Sequence, residues 1–388
     1  YDNTGTAVGD EFEVSTGYYP SITALNNGGF FIIWQSSGDG SYDGIFGQRF
    51  DVFGAEEGSQ FRINSNTEHM QQNPAVTTLA NGDVVATWES SHPWNGTHFT
   101  IMSQRYDSNG QSKIGYEIDY PYNSHIPSSN SSVQALNENG YVVAWQSNHI
   151  YAKLSNTSSA FKVNTFSSHQ QSNPSTTTLN DGGFVITWQS ENQDGSGYGI
   201  YAQRYDNSGT TVGSEFQVNT YAITNQSSPS SVALDDGGFV ITWQSENQDG
   251  SGYGVYGQRY DAQSNPIELI TSFAPTEIQL NAFNITENVS GAVVGTLSVI
   301  DPDVDSYSIH NSTQPLSENI IPSAKAIVGG EFQVNTYTSG AQQDPSITAL
   351  NDGGFVATWS SDSQDGDGSG ISGQRYDSAG VKAGAEFR

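Results

Sequence analysis

The chain has no cysteine, which excludes a disulfide framework, a thiolate metal site and a thiol nucleophile. Basic residues are scarce: Lys and Arg number 12 against 41 Asp plus Glu, giving a formal charge of −29. A surface of that sign repels nucleic-acid backbones and anionic bilayers, and cations are its natural partners. No apolar run approaches the roughly 18 residues needed to span a bilayer. The longest candidates are short strands such as Gly29 to Trp34. The seven His show no metal-ligand spacing, and neither a nucleophile elbow nor a phosphate loop is visible. Acidic pairs are plentiful, but any carboxylate-rich repeat supplies them by chance, so they argue for no glycosidase dyad. The opening residues, YDNTGTAVGD, read as the middle of a repeat unit rather than as a signal peptide.

What the chain has in quantity is Gly (42), Tyr (20) and Phe (18), a composition of strands and tight turns. It is organised around Leu179 to Asp206, LNDGGFVITWQSENQDGSGYGIYAQRYD, whose stretch 181–199 returns letter for letter at 236–254. Such a period marks stacked or radially arranged units. The tryptophan after the GGF-type turn recurs at Trp34, Trp88, Trp145, Trp188, Trp243 and Trp359, in steps of 54, 57, 43, 55 and 116. The EFQVNT-type segment gives a second marker at Phe12, Phe61, Tyr116, Phe161, Phe216, Phe332 and Phe387. Within a period, punctuation defines four strands, of types PSITAL, GGFVITWQS, GIYAQRYD and EFQVNT, with an Asn-Asp-Gly-Gly hairpin between the first two.

Four antiparallel strands about every 54 residues predict an all-β protein, a β-propeller of seven four-stranded blades over residues 1–388. This count reads residues 262–329 as a degenerate blade, with Leu297 standing 54 residues beyond Trp243, where a Trp is due. The competing reading is six blades carrying an inserted small β domain. The blade of Trp145 lacks the acidic loop and has a trimmed edge. Both ends carry the same half-repeat, Tyr1 to Phe12 and Tyr376 to Phe387. One copy can close the ring, or the ends can pair between molecules into a homo-oligomer or polymer.

The unit PSITALNDGGFVATWSSDSQDGDGSGISGQRYD with its EFQVNT continuation resembles the repeats of large secreted calcium-binding adhesins and surface proteins of bacteria, marine ones in particular, of the RTX type. The stretch Ala274 to Asp305 is similar to the start of a cadherin-like repeat. The resemblance implies an extracellular or cell-surface adhesion role with calcium nearby.

Candidate chemistry lies in the loop between the second and third strands, which carries Gln193 and Asp194 in one blade and Asp249 in the next. In the last blade the loop is enriched to Asp362, Asp365 and Asp367. Calcium takes six to eight oxygens, often carboxylates, in a flexible loop, so that copy is a candidate site alone. The single-Asp loops otherwise read as glycine-rich turns. Asp301, Asp303 and Asp305 are a second metal candidate, because alternate residues of an extended segment point to one side; the plain alternative is a charged turn.

In a propeller the loop joining strands two and three shares a face with the crossover to the next blade. The crossovers Asn66 to Asn73, Phe166 to Asn173 and Tyr337 to Asp344, the last with Gln342 and Gln343, are polar. That face is the expected binding face for glycans or polar surface ligands. Trp94, outside the repeat register, is a candidate sugar or cation platform. The recurring Arg49, Arg105, Arg204, Arg259 and Arg375 read as structural braces to an acid of their own blade, as Arg204 to Asp206, and the register tryptophans read as core. The leading expectation is therefore a non-catalytic adhesion module that recognises glycans with calcium support. A self-assembling subunit of a sheath or filament is the alternative, and a secreted polysaccharide-active enzyme ranks third.

Overall fold

A computed structural model describes residues 11–38, 40, 42–91, 99–107, 110–112, 118–119, 127–267, 277–280, 297–300, 330–364, 366 and 368–388. The fold is a β-propeller of six blades. Blade I is the antiparallel sheet of Tyr18–Ala24, Phe30–Ser37, Asp43–Phe50 and Glu56–Arg62. Blades II to VI begin at Gln71, Ser129, Gln171, Gln226 and Gln342.

Each element follows from its letters. In the repeated FVITWQSE strand, Phe184, Ile186 and Trp188 pack on the preceding blade, while Val185 pairs with the next. Both faces are therefore apolar, and all six register tryptophans are at most 2% exposed. Five core clusters weld neighbouring blades from I–II to V–VI. A sixth lies on blade I, where Val14 joins Ile32, Trp34 and Phe50. The DGG turn is equally determined. Gly182 takes φ +87°, and a Cβ on Gly183 would meet the Tyr205 carbonyl oxygen at 2.4 Å. The Asn of VNT is a buried pin: the Oδ1 atoms of Asn64, Asn164, Asn219 and Asn335 accept backbone N–H groups of the third strands at 2.7–2.8 Å. Each pin holds the chain beyond the fourth strand against the third.

The count of seven blades is corrected to six. Among the described residues the strand Leu297–Ile300 pairs with Glu277–Leu280 alone, as a two-stranded ribbon and not as part of a blade, so the 54-residue spacing of Leu297 is a coincidence of register. The pairing also explains why the repeat breaks where it does. In blade IV the fourth strand pairs Thr211 with Tyr205 and Phe216 with Ala202, with a bulge between. In blade V the same two positions are filled by Pro266, opposite Tyr260, and Phe332, opposite Gly257. The extra sequence enters blade V at its outermost strand, in the bulge that blade IV closes with Gly213 at φ +73°. Blade III is trimmed as its sequence implies, its second and third strands joined by a short turn in which Ser147 N–H reaches the His149 carbonyl at 2.8 Å.

Candidate functional site at the axial mouth

The first strands of successive blades lie side by side around the axis, and their axis-facing edges have no strand to pair with. Buried backbone groups need partners, and hydroxyls supply them. Ser21 Oγ accepts Val76 N–H (3.2 Å), Thr77 Oγ1 accepts Ala135 N–H (3.2 Å) and Ser132 Oγ accepts Thr176 N–H (3.1 Å). This is why the first strands read SITA, TT and STTT.

At the start of each first strand one residue bulges into the left-handed region: Tyr19, Asn73, Asn130, Asn173, Ser228 and Asp344, with φ of 49–53°. Asn and Asp tolerate that conformation better than other non-glycine residues. In blades II to V the residue after the register Trp holds the next bulge in place. Backbone N–H groups of Asn130, Asn173, Ser228 and Asp344 donate to Glu89 (2.7 Å), Gln146 (3.4 Å), Gln189 (3.1 Å) and Gln244 (2.8 Å). Side chains extend the ring: Asn130 Nδ2 donates to Asn173 Oδ1 at 2.7 Å, and Ser228 Oγ lies 3.5 Å from Asp344 Oδ1. The product is a ring of amide, hydroxyl and carboxylate groups at the mouth of the axis, on the face that carries the crossovers.

One member differs in charge. Where blades I, III, IV and V place Gln and blade VI places Ser360, blade II places Glu89, 1% exposed. Its carboxylate accepts from Gln72 Nε2 (2.8 Å), Asn73 Nδ2 (3.0 Å) and Asn130 N–H (2.7 Å). Among the described residues no basic side chain pairs with it. The ring therefore holds a buried carboxyl group whose described partners are all N–H donors.

The residues singled out in the sequence fare unequally. Gln193 donates to Glu215 Oε1 at 2.7 Å, and Glu215 Oε2 accepts Thr165 N–H from the blade before at 2.6 Å. Gln248 with Glu331 and Gln364 with Glu386 repeat the strut. Asp194 and Asp249 turn back onto their own blades: each accepts a loop N–H, at 3.2 and 3.1 Å. Each also adds to the burial that raises the phenol pKa of Tyr201 or Tyr256. Gln342 is fully buried and accepts Trp359 Nε1 at 3.3 Å. Gln343, opposite Ser360 and next to Asp344, stands at the axial ring. Trp94, Asp365, Asp367, Asp301, Asp303 and Asp305 lie outside the described residues. Asp362 accepts the Ser369 hydroxyl at 2.7 Å. Among the described residues no three acidic or histidine side chains converge on a point. The arginines brace their own blades, but Arg204 reaches Asp181 of the first hairpin rather than Asp206, and touches the Ala262 carbonyl of the next blade. Arg105, Arg259 and Arg375 repeat the ion pair with Asp83, Asp236 and Asp352.

No family model and no curated protein matches the chain. Solved structures do. A protein of unknown function from Dyadobacter fermentans matches with TM-score 0.53 at 11% identity, over 92% of this chain and 94% of that one. The GH93 α-L-arabinofuranosidase of Fusarium graminearum, solved with arabinobiose, matches with TM-score 0.53 at 11% identity, over 95% and 96%. The α-L-arabinanase of Penicillium chrysogenum, also with arabinobiose, matches with TM-score 0.53 at 12% identity, over 96% of each chain. The expectation of a non-catalytic adhesion module is corrected by these matches, because two of the three propellers are glycan-cleaving enzymes. What the likeness establishes is the fold, a propeller spanning nearly the whole chain.

Proposed function

We propose that this chain is an extracellular polysaccharide-active enzyme that binds and cleaves a glycan at the axial mouth. The observation that carries the reading is Glu89, a buried carboxylate held by three N–H donors with no basic partner among the described residues. Burying an unpaired charge costs several kcal/mol, and pockets that keep one are candidate sites of chemistry. Glycosidic cleavage passes through an oxocarbenium-like state and needs an anion beside the developing charge and a group that exchanges a proton. Glu89 fits the first role. Asp344, exposed and on the same ring, fits the second. The amides and hydroxyls between them are donors and acceptors for sugar hydroxyls. The two arabinobiose-bound propellers support the same substrate class.

The test is release of reducing ends from a panel of soluble polysaccharides that includes arabinan and arabino-oligosaccharides. Turnover is expected, and Glu89→Gln, the residue other blades carry, should lower kcat by about 100-fold or more with the melting temperature unchanged or raised. No turnover on any member of the panel, or full activity in Glu89→Gln, contradicts the assignment.

A further inference from the structure

Blade I breaks the axial pattern in a way that no packing need explains. Blades II and VI begin Gln-Gln-Asn-Pro and Gln-Gln-Asp-Pro, while blade I begins Gly17-Tyr18-Tyr19-Pro20. Tyr19 occupies the bulge at φ +50°, a conformation costly for a bulky side chain without an amide. Tyr18 and Tyr19 are 63% and 65% exposed, and neither phenol has a hydrogen-bond partner among the described residues. Large aromatics held in a strained backbone and turned to solvent gain nothing from the core.

The change reaches inward. In blades II and VI the first Gln accepts the indole N–H of Trp88 or Trp359, at 2.8 and 3.3 Å. Any side chain at Gly17 would collide with Trp34, 2.1 Å from the place of a Cβ, so the Gln is gone, and the Trp34 indole N–H is buried without a partner, as are those of Trp188 and Trp243 in blades that keep the Gln. Gln35, the cross-strand partner of Tyr18, is 7% exposed. Asp43 Oδ2 takes its amide N–H at 3.0 Å, which orients the group and leaves Oε1 buried with no donor. The equivalent oxygens of blades II to V are each filled by the next bulge N–H. A buried, oriented acceptor without a donor lies directly across from an exposed aromatic pair.

We infer that Tyr18, Tyr19 and Gln35 form a sugar subsite at the blade I edge of the axial mouth. A tyrosine ring presents an apolar face to the C–H face of a sugar ring, and Gln35 Oε1 accepts one of its hydroxyls. The subsite takes a neutral glycosyl unit adjoining the one at Glu89, and it rests on the glycan reading above. These are positioning residues, so their loss acts on binding.

The double variant Tyr18→Gln/Tyr19→Asn gives blade I the Gln-Asn-Pro of blade II and relieves the strained bulge, so folding is retained and thermal stability is equal or higher. Against arabinan fragments, KM (or Kd by calorimetry) should rise about tenfold, the scale of a lost aromatic anchor, with kcat within about twofold. Gln35→Met, which removes only the acceptor, should raise KM as well. If wild type turns the glycan over and both variants match it in KM, the subsite is overturned while the proposed function stands. If wild type neither binds nor cleaves any glycan of the panel, the proposed function fails and the subsite with it.

Discussion

Blades IV and V share FVITWQSENQDGSGYG letter for letter and do the same things with it: the same buried Trp, the same Gln-to-Glu strut, the same arginine reaching into the next blade. Blade I keeps the strand pattern but exchanges its axial residues for Gly17, Tyr18 and Tyr19 and leaves Gln35 Oε1 buried without a partner, where Gln189 and Gln244 of blades IV and V each accept the next bulge N–H. The contrast separates scaffold from site. Positions that repeat do so because each blade must bury two faces and pin the same strand ends. Positions that depart from the repeat at the axis, Glu89 in blade II and the tyrosine pair in blade I, have no such constraint, and the proposed function draws on them.

Paired substitutions in the faithful and the altered blade can break that comparison. Trp188→Ala removes a side chain packed between two blades and should cost about 3–5 kcal/mol, read from urea denaturation. Trp34→Ala, whose face packs on Val14 and its own blade, should cost at least about 1 kcal/mol less. Equal losses would mean that blade I is as tightly welded as its neighbours. Arg204→Ala loses a bond to Asp181 and one to the next blade, and should cost about 1–2 kcal/mol. Arg49→Ala, whose pairing with Glu57 is a 3.8 Å contact to a half-exposed partner, should cost about 0.5 kcal/mol or less. The smallest effect is expected from removing residues 268–328. The deletion joins Ile267 to Gly329-Gly330-Glu331-Phe332, the counterpart of Val212 to Phe216 in blade IV. A shift of the unfolding midpoint by more than a few degrees would show that the insertion buttresses blade V.

The scaffold was legible in the sequence because its causes are local and repeated. Trp at a fixed place, Asp-Gly-Gly turns and the buried Asn of VNT each answer to one physical demand. The blade number misled because Leu297 falls at the spacing of a strand that pairing shows to be part of a ribbon. The site was hidden for the opposite reason. Its six bulge residues are Tyr, Asn, Asn, Asn, Ser and Asp. All six share a backbone angle, and four of them, Asn130, Asn173, Ser228 and Asp344, a cross-blade hydrogen bond, which no letter records. The loop residues Gln193, Asp194 and Asp249 looked chemical because they are polar and repeated, yet their side-chain atoms are largely spent on struts and turns. Glu89 stood in plain sight as the one acidic letter at a position that is Gln in four blades and Ser360 in the sixth.

The central claim, that the glycan lies across the axial mouth, is tested most directly by hydroxyl-radical footprinting of Glu89→Gln with and without a saturating arabino-oligosaccharide. The account predicts protection of Tyr18 and Tyr19, while Phe53, 91% exposed in the turn between the third and fourth strands of blade I, stays as reactive as before. Unchanged reactivity at both tyrosines, with the sugar bound elsewhere on the protein, would contradict it.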